Sequence, residues 1–179
     1  MAANRTRYAI LGALTLGPMS GYGLRQFFAQ SVSFFWRESF GQIYPILRQL
    51  KKEGLVRPAA GGTKSAATTY AITKAGRAEL ARWLDQPAEV QPPRVELLLK
   101  LFFAREGRPA SALRLIENFR RHHREMLAIY EALSRRIRDE HPDNPNLPYW
   151  LLTISYGEQF SGAMLGWCDT AERKLGKLR

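Results

Sequence analysis

Gln42, Tyr44, Arg48 and Lys51 stand close together in one short stretch and carry side chains that read and hold nucleic acid. A glutamine amide pairs bidentately with adenine in the major groove, so Gln42 is the first candidate base reader. The competing reading of Gln42 is a solvent-facing polar residue. The Tyr44 hydroxyl can donate to a phosphate while its ring packs beside Leu47. Arg48 lies one turn beyond Tyr44 and points away from Leu47, so it reaches DNA or stays an ordinary solvated arginine. Lys51 and Lys52 lie further along, where a phosphate contact is expected rather than a base contact. Ser39 precedes the stretch and either caps a helix or touches a phosphate. Tyr22 opens an earlier segment, where an amide and a hydroxyl bind phosphate.

Other chemistry fails on spacing. His122-His123 followed by Glu125 is not the metalloprotease pattern, which needs two histidines four apart. Gly61-Gly62-Thr63-Lys64-Ser65 lacks the glycine spacing and the following helix of a phosphate-binding loop. No Gly-x-Ser-x-Gly elbow and no Cys/His metal set occur, and the carboxylates are scattered along charged segments. The expectation is a protein without catalysis, metal or cofactor.

Positioning the basic stretch requires a helix, and the apolar spacing provides one. Ile43, Leu47 and Leu50 fall four and three apart, which predicts a helix over 42–53 with these residues buried. Pro45 is tolerated only in a first turn, and Gly54 ends the helix. Upstream, the pattern predicts a helix over 8–16, closed by Gly17-Pro18. Ser20 to Gly23 form a turn and cap before a second helix over 24–30. Phe27 and Trp36 are assigned to the core. Leu55 to Arg57 and Thr68 to Ile72 read as a hairpin around a small-residue loop. Thr73 caps a fourth helix over 74–84.

Three prolines between 86 and 93 mark a linker. Beyond it, Leu113, Ile116, Phe119, His123, Met126, Tyr130, Leu133 and Ile137 form a coiled-coil-like seam on a helix over 109–140. Pro148 opens a final helix of about 28 residues, roughly 42 Å long. The predicted fold is mainly α with a small β-hairpin. It comprises a winged helix-turn-helix over 1–86, a linker over 87–93 and a helical dimerisation domain over 94–179.

The 179 residues carry a formal net charge of +11, which suits a polyanionic partner. Residues 1–86 hold 12 Lys/Arg against 4 Asp/Glu, a balance of +8; residues 87–179 hold 15 against 12, or +3. The attraction is concentrated on the predicted winged helix. Cys168 is the single cysteine, so no internal disulfide is possible and a reducing compartment fits. It reads as a small buried hydrophobe. The chain shows neither a signal-peptide pattern nor a membrane-spanning apolar run. The expectation is a cytoplasmic protein with no membrane partner.

The stretch from Gly41 to Val56 (GQIYPILRQLKKEGLV) resembles the PadR family of transcriptional regulators. The shared features are a Tyr-Pro in the recognition helix, a Leu-x-x-Leu spacing and a Glu-Gly before the wing. Ser20-Gly21-Tyr22-Gly23-Leu24 is similar to the family's entry to its second helix. Tyr70 to Arg77 is similar to its strand-to-helix step. The second half resembles the longer, virulence-activator type, more loosely, at Gly166-Trp167. The resemblance implies a homodimer bound to an operator, usually as a repressor, and in some members released by a small molecule. Many relatives carry consecutive basic residues before the wing tyrosine. Here that stretch is Ala66-Ala67-Thr68-Thr69, which leaves Lys64, Arg57 and Thr68 as the wing's candidates. Arg5 and Arg7 are the alternative clamp.

Two readings of the second half stay open. Gly162 and Gly166, four apart, permit close helix packing. Tyr149, Trp150, Tyr156, Phe160 and Trp167 form a dimer core, or Trp150, Tyr156, Phe160 and Trp167 line a pocket for a small aromatic effector. The functional expectation is a sequence-specific regulator of double-stranded DNA. The alternative is a winged helix used as a protein-interaction module with no specific DNA site.

Overall fold

The computed structural model describes residues 5–36, 40–59, 68–89 and 94–177. It divides into two compact units, Met1–Val90 and Gln91–Arg179.

The first unit begins with α1 (Arg5–Thr15), which buries Ile10, Leu11, Ala13 and Leu14. A two-residue strand, β1 (Met19–Ser20), leads into α2 (Gly21–Gln30). The Ser20 hydroxyl caps α2 by accepting from the Gly23 N–H at 3.0 Å. The helix thus starts three residues earlier than the apolar spacing implied. A 3-10 turn at Phe40–Gln42 feeds α3 (Ile43–Lys52), whose buried face is Ile43, Ile46, Leu47 and Leu50. Pro45 sits in its first turn, as the spacing required. Gly54, at φ +72°, takes the left-handed conformation that ends α3 without a Cβ penalty.

Then come β2 (Val56–Pro58) and β3 (Thr69–Ile72), paired antiparallel with Val56 opposite Ile72 and Pro58 opposite Tyr70. The expected hairpin is present, but the sheet has three strands in the order β1-β3-β2, with Met19 opposite Tyr70. Two residues are too few to display a period-two pattern, so β1 was not legible locally. Helix α4 (Lys74–Leu84) has the predicted bounds. The Thr73 hydroxyl accepts from the Gly76 N–H at 3.0 Å and donates to the Gly54 carbonyl at 2.8 Å, joining the end of α3 to the start of α4. Tyr8 of α1 stacks on Trp83 of α4 at 4.7 Å between ring centroids.

Two core assignments need correction. Phe28, not Phe27, is the buried aromatic of α2; Phe27 packs half-buried at the margin. Trp36 is also half-buried, with the Arg5 guanidinium 5.8 Å from its ring centroid.

The second unit contains α5 (Glu96–Phe102), α6 (Pro109–Glu140) and α7 (Leu147–Gly176). The last two form an antiparallel pair. Its seam is the predicted one, and it faces α7 of the same chain: His123 Nδ1 lies 3.4 Å from Ser161 Oγ, and the Cys168 thiol lies 4.0 Å from the Ile116 carbonyl. Leu97, Ile116 and Cys168 form the core, with Phe119 and Trp167 against them. Arg120 ties the helices together, its Nη2 at 2.7 Å from Glu172 and 3.1 Å from Asp169, its Nη1 at 3.1 Å from Glu117. Between α6 and α7, close approach is permitted by Gly157, which lies under the Tyr130 ring. Gly162 and Gly166 are exposed, with nothing within 4 Å of a Cβ placed on either. Among the described residues no helix is long and apolar enough to cross a membrane.

Candidate nucleic-acid interface

The core fixes which side of α3 meets solvent. With Ile43, Ile46, Leu47 and Leu50 turned inward, Gln42, Tyr44, Arg48, Gln49, Lys51 and Lys52 are left exposed. Gln42 is the N-cap residue, at the helix end that enters a groove in helix-turn-helix docking. Its side chain makes no capping hydrogen bond and so is not committed to the helix end. Tyr44 is 56% exposed, and its ring rests against Gly21 at the start of α2 rather than only beside Leu47. Tyr22 is likewise exposed and accepts a hydrogen bond from Gln26 Nε2 at 3.1 Å. Tyr22 and Tyr44 thus come together where the start of α2 meets the first turn of α3.

The face is basic. Arg25 on α2, Arg48, Lys51 and Lys52 on α3, and Arg57 on β2 are all exposed. Arg25 escaped the sequence reading because its value depends on α2 packing beside α3. Its position one turn after Tyr22 is the signal that could have found it. Thr68 is exposed immediately before β3. Ser39 and Lys64 lie outside the described residues. The proposed substitute clamp is engaged elsewhere: Arg5 is paired with Glu89, and Arg7 with Glu53 at 2.6 Å.

The four effector candidates are not gathered at one place. Trp150 lies near the start of α7 with the His141 ring 5.7 Å away. Trp167 lies 17 residues on, about 25 Å along the helix axis, and packs on Phe119 in the core. Tyr156 and Phe160 sit between them, ring planes nearly parallel at 6.3 Å, and Phe160 contacts the His123 ring at 5.7 Å. Burial, then the charge of His122, holds His123 below the usual histidine range. Burial likewise raises the Cys168 thiol. Tyr149, Leu152, Tyr156 and Phe160 form an exposed apolar row on α7, while α5 exposes Leu98, Leu99 and Phe102, followed by exposed Phe103 just past its end.

Residues 10–82 match the model of the PadR-like transcriptional regulator family, and residues 93–176 match that of the virulence activator alpha C-terminal domain. The chain thus carries a PadR-like transcriptional regulator domain followed by a virulence-activator C-terminal domain. Among curated proteins it is 36% identical over 100 residues to the negative transcriptional regulator PadR of Bacillus subtilis, covering 54% of this chain and 55% of that one. It is also 36% identical over 88 residues to a probable transcriptional regulator of Mycobacterium tuberculosis, covering 48% and 47%. The matched stretch therefore spans about half the length of these relatives. Among solved structures, Bacillus subtilis PadR in complex with operator DNA superposes with a TM-score of 0.83 at 24% identity, covering 96% of this chain and 99% of that one. The Vibrio cholerae virulence activator AphA gives 0.76 at 23%, covering 97% and 99%. Bacillus subtilis PadR in complex with p-coumaric acid gives 0.79 at 22%, covering 95% and 98%. These likenesses establish the winged-helix fold with its helical second unit.

Proposed function

We propose that this protein is a PadR-like regulator: a homodimeric, sequence-specific DNA-binding repressor that acts in the cytoplasm. Residues 1–86 bind DNA, 87–93 link, and 94–179 hold two copies together. The observation that carries the reading is the outward face of α3. Gln42, Tyr44 and Arg48 project from a helix whose other face is locked in the core. Gln42 reads a base edge, Arg48 a base or phosphate, and Tyr44, Tyr22, Lys51 and Thr68 hold the backbone. Ser39 and Lys64 add phosphate contacts. A small aromatic effector releases the DNA. Support for that comes from the aromatic row on α7 and from the relative bound to p-coumaric acid.

Two apolar surfaces exposed on one helical unit support the homodimer, because contiguous apolar patches of that kind mark interaction sites. The test is fluorescence anisotropy with the DNA just upstream of the protein's own gene against a scrambled duplex, at two salt concentrations. Tight binding that falls with salt but stays well above the scramble is expected. Equal, weak, salt-sensitive binding to both would overturn the reading and favour a winged helix that serves a protein partner. Adding phenolic acids to the bound complex tests release.

A further inference from the structure

Gly21 has no conformational reason to be glycine. Its φ is not in the left-handed region, so its backbone is open to any residue, and an alanine at this helical position would be favoured by propensity. What it lacks is room. A Cβ on Gly21 would stand 2.5 Å from Cε1, 2.9 Å from Cζ and 3.1 Å from Cδ1 of Tyr44. Gly21 is itself buried, at the first residue of α2, and Ser20 anchors that helix start by capping Gly23. The seat is therefore a fixed piece of backbone, whereas Tyr44 is a half-exposed side chain in the first turn of α3.

We infer that Gly21 is a positioning residue for DNA recognition. Its missing side chain is the seat of the Tyr44 ring, and the seat fixes where the Tyr44 hydroxyl meets the DNA. The inference rests on α3 being the DNA-facing helix. Without the seat, the ring has to swing off α2, because a methyl at 2.5 Å leaves it no place. The atoms met are the outer atoms of one ring and not backbone, so the ring yields and the fold does not. The hydroxyl then loses its fixed position, and the entropy of ordering a free phenol is added to the cost of binding.

A double-mutant cycle with Gly21→Ala, Tyr44→Ala and the double variant separates this from a direct role of the glycine backbone. Binding to the upstream duplex and to its scramble is measured for all four proteins, with melting temperatures alongside. Gly21→Ala is expected to weaken specific binding about tenfold, the size of one lost charged hydrogen bond. In the Tyr44→Ala background, where the methyl has room, the same change is expected to cost nothing. Melting temperatures stay close throughout. An equal loss in both backgrounds, or no loss in either, overturns the inference. NMR of the free protein keeps this apart from failure of the DNA reading. The Gly21 Hα protons lie against an aromatic ring and show contacts to it that Tyr44→Ala abolishes. If the wild-type protein shows these contacts but binds no duplex specifically, the DNA role of α3 falls, and the recognition role of Gly21 with it. If specific binding persists without the contacts, the seat alone is overturned.

Discussion

The ring of Tyr130 occupies the space a side chain at Gly157 would need: its Cζ, Cε2 and Cε1 lie 2.5, 2.6 and 2.8 Å from the position of a Cβ there. Three atoms of one half-buried ring are met at once, so a methyl group cannot be absorbed by a small rotation. Gly157→Ala is expected to cost about 1–3 kcal/mol as overpacking between α6 and α7. Gly162 is the contrast, since nothing lies within 4 Å of its Cβ position. Alanine there gains helix propensity of up to about 1 kcal/mol. Urea unfolding of the two variants should move the midpoint in opposite directions at unchanged slope. A fall in both would mean that another surface covers Gly162.

The long helices and their ends were legible because each signal is local. Pro109 to Glu140 and Lys74 to Leu84 keep their predicted bounds, and Thr73 caps as its type and place require. The outward residues of α3 were legible for the same reason: the spacing of Ile43, Leu47 and Leu50 says which side remains. What escaped depends on tertiary placement. The strand Met19–Ser20 exists only because Tyr70 and Thr69 lie alongside it. Arg5 and Arg7 look like spare cations until Glu89 and Glu53 are brought to them by the fold. Gly162 and Gly166 show the spacing of close packing, yet it is Gly157 that faces α6. Glycines report close approach only when the approaching group is known.

His123 makes the second unit sensitive to acid. The folded protein holds its ring below the usual histidine range, chiefly by burial, so the folded state resists the proton. The unfolded chain takes that proton near pH 6.5. Above that pH both states are neutral at this site and stability is unaffected. Below it, the unfolded state binds more protons and stability falls with pH. Urea midpoints from pH 8 to 5 should therefore decline more steeply below about 6.5 in the wild type than in His123→Gln. Parallel curves would mean that other groups carry the acid response.

Arg48 is exposed on the outward face of α3, and Arg135 is exposed on α6 in the second unit. Both changes to alanine remove one positive charge, so they are matched in net charge. Arg48→Ala is expected to weaken specific DNA binding roughly tenfold to a hundredfold, the range of a lost base or phosphate contact. Arg135→Ala is expected to leave it within about twofold, since an exposed charge that holds no phosphate or base is largely screened by salt. Anisotropy titrations at matched salt check both. Equal affinities for the two variants would remove α3 as the recognition helix.

Tyr156 and Leu152 on α7 are 68% and 69% exposed, and Phe102 on α5 is 82% exposed. Side chains so little used within the chain contribute little to the folding of a single copy. In a homodimer built on these rows they would be the anchors, and a buried unpaired carboxylate there would be costly. Tyr156→Glu and Phe102→Glu are therefore expected to shift sedimentation from dimer to monomer while the circular dichroism spectrum stays helical. Operator affinity should fall by about a hundredfold or more, because the second half-site is no longer held at high effective concentration. The two variants also discriminate between the rows. If only one dissociates the dimer, that row is the contact and the other is free for an effector. If both variants stay dimeric, the copies meet through another surface, and the open face with Gly162 and Gly166 becomes the one to substitute next.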